Sequence, residues 1–195
     1  MSRVGKTIIK IPSGVKVEVL GNVLSVTGPN GNLVQEVKAP ITVEISSDEV
    51  RVLRGDDENS TKSLHGLFNR LIQNMVKGVT TGFTKYLFCN GVGYKASLKS
   101  DGGLTLNLGV SHPIEVLAVK GVKFSILSPQ EIQALGFGKE LATMILKVQG
   151  ASKEAVGAEA AKIRALRPVE PYHLYGIRYS DEYVAKKESK SGAKK

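Results

Sequence analysis

The chain has 195 residues, of which 42% are hydrophobic, and a formal net charge of +9. This composition supplies enough apolar material for ordinary cores and excludes an intrinsically disordered chain. The charge is uneven, because residues 1–80 carry 10 Lys and Arg against 8 Asp and Glu, a net of +2, whereas residues 81–195 carry 17 against 10, a net of +7. We therefore expect the second half to meet a polyanionic partner.

The only cysteine, Cys89, excludes an intramolecular disulfide and favours a reducing compartment. It lies in an apolar run that begins at Tyr86, which favours a buried structural thiol over a reactive one. The N-terminus has no apolar signal region, and no later segment reaches the roughly 20 apolar residues that span a bilayer. We expect a soluble protein that is not secreted.

Short antiparallel strands are predicted from Thr7 to Arg54, where apolar residues alternate with period two. The pair Gly21-Asn22 and the segment 28–31 supply the turns between them. The first segment therefore predicts a β-meander.

An amphipathic helix is predicted from Ser60 to its end at Gly78, where the apolar spacing changes to i, i+3, i+4, i+7. Its apolar stripe should cover one face of the preceding sheet. The apolar and then the polar positions are Leu64, Leu67, Phe68, Leu71, Ile72, Met75 and Val76, against Lys62, Asn69, Arg70, Gln73 and Lys77.

The same order of strands and then one helix recurs after residue 82. Strands are predicted at 83–88, 94–98, 104–108, 114–119, 122–127 and 144–148, with a closing alanine-rich helix at 152–166 whose Lys162 and Arg164 face outward. A capping box of Ser128, Pro129 and Glu131 predicts a short helix in an inserted loop that ends at Gly136. The predicted fold class is α+β, with two similar domains that each comprise a mostly antiparallel sheet covered by one main helix. The predicted bounds are 1–81, 82–184 and a basic flexible tail at 185–195.

The segment from Gly91 to Ala96 fits the loose dinucleotide pattern G-x-G-x-x-A. That pattern needs a helix after the glycines to hold a pyrophosphate, whereas the residues after Gly93 alternate as a strand does. A turn that brings backbone, Tyr94 and Lys95 close to another polymer explains the segment better. Nucleotide binding by an enzyme remains the alternative.

Catalytic and metal chemistry find no support in the sequence. His65, His112 and His173 lack ligand-type spacing, and His65 is expected to pack or cap within the helix. No serine, histidine and acid can be assembled into a nucleophilic triad. We expect no cofactor and no enzyme.

The segment from Arg167 to Tyr183 joins two prolines, four tyrosines and two arginines. Pro168 and Pro171 prevent it from continuing the helix, so it should run extended over a surface. Exposed tyrosines beside arginines suit base stacking and phosphate contact. A strap that packs its tyrosines on the parent domain is the alternative.

Five segments in order resemble the bacterial-type ribosomal protein L-six family. They are residues 1–6 (MSRVGK), 65–82 (HGLFNRLIQNMVKGVTTG), 91–94 (GVGY), 108–113 (LGVSHP) and 167–172 (RPVEPY) with 176–183 (GIRYSDEY). The resemblance implies two domains of similar fold and a non-catalytic role in the large ribosomal subunit. It also implies binding to large-subunit ribosomal RNA near the sarcin-ricin loop, at the base of the lateral stalk, beside neighbouring ribosomal proteins and where translational GTPases dock. A cytoplasmic ribosome is expected, with an organellar one as the alternative.

The resemblance also implies RNA-binding residues, mostly in the second domain. Those at matching positions are Gly91, Gly93, Tyr94, Ser111, His112, Glu170, Pro171, Tyr172, Gly176, Arg178 and Tyr179, and Arg3 and Lys6 lie in the N-terminal motif. Charge alone adds Lys95, Arg164, Arg167, Lys186 and Lys187.

Two departures from the family pattern bear on these roles. His173-Leu174-Tyr175 stands where the family has a Lys-Gly-Lys type sequence, so His173 would have to donate to phosphate and Tyr175 to stack on a base. The segment from Ser128 to Leu141 is an insertion without a family role. A polyanion-binding module that acts outside the ribosome is a third reading.

Overall fold

The computed structural model describes residues 4–137 and 142–188. The chain divides into two compact units, one that runs to Phe83 and takes up Gly150–Lys153, and one that contains Thr84–Gln149 and the chain from Glu154 onward. The sheets are mostly antiparallel and helices are few, so the predicted α+β class is confirmed. The predicted domain bounds stay predictions, and only residues 185–188 of the predicted tail are described.

The first unit contains two three-stranded antiparallel sheets and one long helix. Its elements are β1 (Ile9–Lys10), β2 (Lys16–Leu20), β3 (Val23–Gly28), β4 (Gly31–Glu36), β5 (Ile41–Ile45), β6 (Glu49–Arg54) and α1 (Asn59–Thr80). The sheet orders are β2-β3-β4 and β1-β6-β5. The prediction of one meander was wrong, because β1 pairs with β6, with Ile9 opposite Val50.

The apolar stripe of α1 buries against both sheets, where the sequence predicted one, and the predicted stripe residue Leu67 is instead 51% exposed. Phe68, Ile72 and Val79 on the helix share one core with Leu24 and Val50 on the strands. Burial of such side chains is worth roughly 1.5–3 kcal/mol each, so this stripe fixes the helix on the strands.

Two glycines near the end of α1 have roles that the sequence did not reveal. Gly78 lies inside the helix, and a Cβ there would come within 2.0 Å of the carbonyl oxygen of Ala151. The helix ends at Thr80, and Gly82, with φ +74°, takes the left-handed conformation. The prediction that Gly78 ends the helix was therefore wrong.

The turn between β3 and β4 holds the C-terminal end of α1. The backbone N–H of Asn30 donates to the carbonyl of Val79 at 2.9 Å, and its side-chain Nδ2 donates to the carbonyl of Thr80 at 2.7 Å. Carbonyl groups in the last helical turn lack intrahelical partners, and Asn30 satisfies two of them.

Three polar residues of α1 are buried, Thr61, His65 and Asn69, and the last two contact backbone far away along the chain. Asn69 is 1% exposed, and its Nδ2 donates to the carbonyls of Gly5 and Thr7, so its predicted place on the polar face was wrong. His65 is also buried and packs on Gly5, while its Nε2 lies 2.9 Å from the carbonyl oxygen of Val52. Both side chains therefore anchor neighbouring backbone segments.

The second unit contains a four-stranded and a three-stranded sheet with two helices. Its elements are β7 (Phe83–Asn90), β8 (Lys95–Leu98), β9 (Leu104–Asn107), β10 (Ile114–Val116), β11 (Val122–Ile126), α2 (Pro129–Ala134), β12 (Met144–Gly150), α3 (Lys153–Leu166) and β13 (Gly176–Tyr179). The sheet orders are β11-β12-β7-β13 and β10-β9-β8.

The predicted capping box of the inserted segment is present. Ser128 and Glu131 accept reciprocal hydrogen bonds from each other's backbone N–H groups, Pro129 occupies the first helical turn, and Gly136 has φ +75°. Residues 138–141 of the insertion lie outside the described residues.

Candidate nucleic-acid interface

The segment from Arg167 to Tyr183 packs its main chain and exposes part of its side chains. Strand β13 pairs antiparallel with β7, from Gly176 opposite Asn90 to Tyr179 opposite Leu87. The rings of Tyr172 and Tyr175 nevertheless remain exposed, at 46% and 41%. The backbone and Tyr179 therefore pack within the unit, whereas Tyr172, Tyr175 and Tyr183 are exposed, and a contact with RNA stays a prediction.

Glu170 organises the loop that carries these rings. Its carboxylate accepts hydrogen bonds from the backbone N–H groups of Tyr172 and His173, and its own N–H donates to the carbonyl of Tyr175 at 2.9 Å. Desolvation raises the pKa of Glu170, but these N–H donors lower it by more, so the net pKa lies below its usual value. Glu170 therefore shapes the loop, and its contact with RNA stays a prediction.

The two ends of the loop are fixed by backbone geometry. Leu174 adopts φ +61°, and its carbonyl accepts a hydrogen bond from Nδ2 of Asn90 at 3.1 Å. At Gly176, with φ +133°, a Cβ would lie 2.6 Å from the carbonyl oxygen of Pro168. The rings of His173 and Tyr175 stack with centroids 5.6 Å apart, so the loop presents a preformed aromatic pair.

The turn at Gly91 to Gly93 follows β7 directly. Gly91 is buried under the ring of Tyr94. Its backbone N–H donates to the hydroxyl of Thr143, and that hydroxyl donates in turn to the Gly91 carbonyl. Gly93 has φ +75° and is exposed, and Val92 at the tip is 83% exposed. This turn projects backbone and one small apolar side chain.

Tyr94 does not face solvent, although the sequence suggested a contact with a polymer. Its ring is 6% exposed and packs over Gly91, and Gly109 lies at the same ring edge. A side chain at Gly91 would collide with that ring, since a Cβ would lie 2.4 Å from its Cε1. Tyr94 thus joins the turn to the loop that carries Ser111 and His112.

Three exposed loops consequently meet around the end of β7. Asn90 binds the tyrosine loop, and Tyr94 contacts the segment at Gly109. We call this region the loop-end surface. It comprises Val92, Gly93, Ser111, His112, Tyr172, His173 and Tyr175.

Several predicted cations are engaged within the protein instead. Arg164 forms a two-pronged ion pair with Glu182, which raises the pKa of Arg164 and lowers that of Glu182. Arg178 lies 5.0 Å over the ring of Phe88. Both residues therefore hold the strap in place, and the prediction that Arg164 faces outward was wrong, because its side chain is half-buried against Glu182.

Tyr179 also belongs to this support, because it is half-buried and its ring lies 5.3 Å from Nζ of Lys85 and 5.7 Å from Cζ of Arg164. Its backbone N–H donates to Glu182. The other cation expected to face outward, Lys162, is exposed as predicted, but its Nζ lies 2.6 Å from Oε1 of the buried Glu159. The charge of Lys162 is therefore also paired within the protein.

The remaining predicted site residues lie in three places. Lys95, Arg167, Lys186 and Lys187 are exposed in the second unit, whereas Pro171 is half-buried. Lys6 is exposed in the first unit, and Arg3 lies outside the described residues. The sequence did not identify Val92, Asn90 or Thr143, because a tip valine and two supporting polar residues carry no motif of their own.

Other chemistry finds little basis in the described ranges 4–137 and 142–188. They hold no group of three or more metal-ligating side chains, and no helix among them is long and apolar enough to cross a membrane. The segment after Gly93 is strand β8, so the helix that a dinucleotide site would require does not follow it. Burial raises the pKa of the Cys89 thiol to about 12, which keeps it protonated.

The candidate site of this two-unit α+β protein presents exposed aromatic rings and backbone turns, a combination typical of binding proteins. The family model described as Ribosomal protein L6 matches residues 11–82. Relatives named large ribosomal subunit protein uL6 match nearly the whole chain. The relative from Moorella thermoacetica is 43% identical over 194 residues, covering 100% of this chain and 98% of its own length. The one from Geobacter metallireducens is 45% identical, with both chains covered fully, and the one from Lactococcus lactis subsp. lactis is 45% identical over 98% of this chain and 99% of its own.

This chain belongs to the ribosomal protein L6 family. The expectation of a non-catalytic protein agrees with that membership, since these relatives are named as ribosomal proteins.

Proposed function

We propose that this protein is a structural constituent of the large ribosomal subunit and binds large-subunit ribosomal RNA through the loop-end surface. The observation that carries the proposal is the meeting of three predicted RNA-binding loops at the end of β7. Family membership supports the ribosomal role, because the relatives are named as large-subunit proteins.

The chemistry of the loop-end surface suits single-stranded or irregular RNA. Tyr172 and the stacked pair His173 and Tyr175 offer rings on which unstacked bases can lie. Gly93 lets a sugar or phosphate approach the backbone, because it has no side chain. The exposed Lys95, Arg167, Lys186 and Lys187 add positive charge in the same unit.

The finer location remains part of the proposal. We place the RNA contact near the sarcin-ricin loop at the base of the lateral stalk, with ribosomal proteins beside it and translational GTPases docking nearby. The compartment that we propose is a cytoplasmic ribosome. Its support is the sequence resemblance described above and the full-length match to bacterial relatives.

Binding to a transcript of large-subunit ribosomal RNA tests the site. Tyr172→Ala and Tyr175→Ala should each weaken binding, because loss of one base–aromatic stack costs about 1–3 kcal/mol, or roughly fivefold to 150-fold. Tyr183→Ala is the matched control, since Tyr183 is 90% exposed on the same segment but outside the loop-end surface. Equal losses for all three variants would contradict the proposed site.

The salt dependence of affinity separates binding to RNA phosphates from binding through uncharged contacts. If about six to ten phosphates are neutralised, affinity should fall by roughly 10³ to 10⁵ between 50 and 200 mM salt. A flat profile would contradict RNA binding altogether. Sedimentation of the endogenous protein apart from large subunits would instead favour a module that acts outside the ribosome.

A further inference from the structure

We propose that the first unit carries a second RNA-contacting surface, which binds the phosphate backbone of a strand without reading its bases. This surface is a groove of about 690 Å³ between β1 and the C-terminal half of α1. We call it the basic groove. Its polar lining is Lys10, Arg70, Gln73, Asn74, Lys77, Thr80 and Thr81. The inference rests on the proposed function for the nature of the partner, but it concerns a different unit of the protein.

The low net charge of the first unit conceals a separation of charges. No carboxylate lines the groove, and Lys10, Arg70 and Lys77 all do. The carboxylates of Glu49 and Asp57 are instead ion-paired with arginines of β6. Among residues 4–137 and 142–188, the three groove cations form no ion pair, so their charge is available to an anion.

Arg70 and Lys77 are arranged for one polyanion. They are seven residues apart on α1, which places them on the same face roughly 10 Å apart along the helix axis. Nη1 of Arg70 donates to Oε1 of Gln73 at 2.7 Å, so the guanidinium is held at the groove. Two cations at this spacing fit a chain of phosphates better than a single small anion.

Lys10 extends the positive field onto β1. Its partner in the strand register is Glu49, which could have neutralised it. That carboxylate instead lies 3.1 Å from Nη2 of Arg51, and both of these side chains are partly exposed. Lys10 is therefore left to face the groove and the solvent beside it.

A shared aromatic ring extends the positive charge of the groove. Nζ of Lys77 lies 5.8 Å and Nζ of Lys153 lies 5.9 Å from the ring centroid of Phe83. The described part of the chain places no carboxylate in an ion pair with either ammonium group. Lys153 therefore adds a further positive charge beside Lys77.

The C-terminal end of a helix carries partial negative charge, which opposes phosphate binding. Here that charge is reduced, because the hydroxyls of Thr80 and Thr81 donate to carbonyls of the last turn and Asn30 donates to two more. Lys77 in the last turn offsets it further. The end of α1 is therefore compatible with an anion beside it.

The groove suits a backbone contact and not base recognition. Its lining contains no aromatic side chain on which a base could stack, whereas the side-chain amides of Gln73 and Asn74 provide donors for phosphate and ribose. An acidic protein surface would satisfy the same cations, and the experiment separates the two partners.

The test compares two double variants of the full chain. Arg70→Gln with Lys77→Gln removes two groove charges, and Lys38→Gln with Lys62→Gln removes the same charge elsewhere in the unit. Binding to a large-subunit ribosomal RNA transcript is measured from 50 to 200 mM salt, and circular dichroism confirms folding. In the groove variant, the fall of log affinity with log salt concentration should be shallower by about 2 in slope, since each lost phosphate contact contributes about 1. The control should leave the slope unchanged.

Each outcome has one meaning. An unchanged slope for the groove variant would overturn this inference, and an acidic protein would then be the better candidate for the groove. If the groove variant behaves normally while Tyr172→Ala and Tyr175→Ala weaken binding, only the second surface fails. If the wild-type protein itself does not bind the transcript, the proposed function fails.

Discussion

Substitution of Gly176 by alanine should destabilise the second unit and distort the tyrosine loop. With φ +133° this position disfavours any side chain, at a cost of order 1–3 kcal/mol. The new Cβ would also lie 2.6 Å from the carbonyl oxygen of Pro168 and 2.7 Å from Cα of Val169, both backbone atoms. Overpacking of this kind costs about 1–3 kcal/mol, so the total is about 2–6 kcal/mol.

Two further glycines in the same unit separate these contributions. Gly93→Ala retains only the conformational cost, about 1–2 kcal/mol, because φ is +75° and nothing lies within 4 Å of the position that the new methyl group would take. Gly157→Ala has neither cost, since it lies inside α3 with open space around it. It should stabilise the protein by about 0.8–1.0 kcal/mol.

Urea unfolding of the full chain, followed by tyrosine fluorescence and circular dichroism, gives the free energy of unfolding for each variant. For a chain of this size, 2 kcal/mol should also lower Tm by roughly 4–8 °C. The expected order of stability is Gly157→Ala, wild type, Gly93→Ala, Gly176→Ala. If Gly176→Ala were as stable as wild type, the close approach at Pro168 could not hold the loop as described.

Three other outcomes follow from buried or paired groups. Iodoacetamide should not label native Cys89 at pH 8, because its thiol is buried with a pKa of about 12; fast labelling without unfolding would contradict this. The ion pair with Arg164 lowers the pKa of Glu182 in the folded protein. The charged carboxylate therefore contributes its full stabilisation above the unfolded-state pKa of about 4.3, and this stabilisation is lost as the pH falls through the lower folded-state pKa. Glu182→Gln should therefore flatten the acid limb of the stability curve measured by denaturation, and an unchanged limb would refute the ion pair with Arg164. Asn69→Ala should cost about 1–3 kcal/mol in urea unfolding, because two carbonyls lose their donor; a neutral result would mean that water replaces it.

Local patterns predicted the elements well. The spacing from Leu64 to Val76 gave a helix with the correct apolar side, and Ser128 and Glu131 gave a capping box that is present. Each signal lies within a few residues of the structure that it describes. Such patterns depend on backbone periodicity, which acts locally.

The errors arose where a partner lies far away along the chain. Asn69 resembles a surface residue until the N-terminal segment is placed against it, and its bonds reach Gly5 and Thr7. Gly78 resembles a helix cap, but the position has no room for a side chain, because the carbonyl oxygen of Ala151 approaches it closely. No local pattern encodes such contacts.

The candidate site shows the same division. The sequence selected loops that lie together in the structure, but it could not tell supporting residues from exposed ones. Tyr94 and Glu170 hold the loops in shape, while Tyr172 and Tyr175 remain available to a ligand. Which tyrosine is exposed depends on tertiary packing, because residue type alone is the same in each case.

The docking of Asn30 on α1 has a consequence for the chemical ageing of the protein. Asn30 precedes Gly31, and in such a pair the next backbone nitrogen readily attacks the side-chain carbonyl carbon of asparagine, releasing ammonia and closing a succinimide that water opens to aspartate or isoaspartate. Here the amide is held by the carbonyl of Thr80, which restrains that attack. An aspartate would lose the donor and place a carboxylate at the negative end of the helix. The rate of deamidation at Asn30 therefore reports how often its side chain leaves the end of α1.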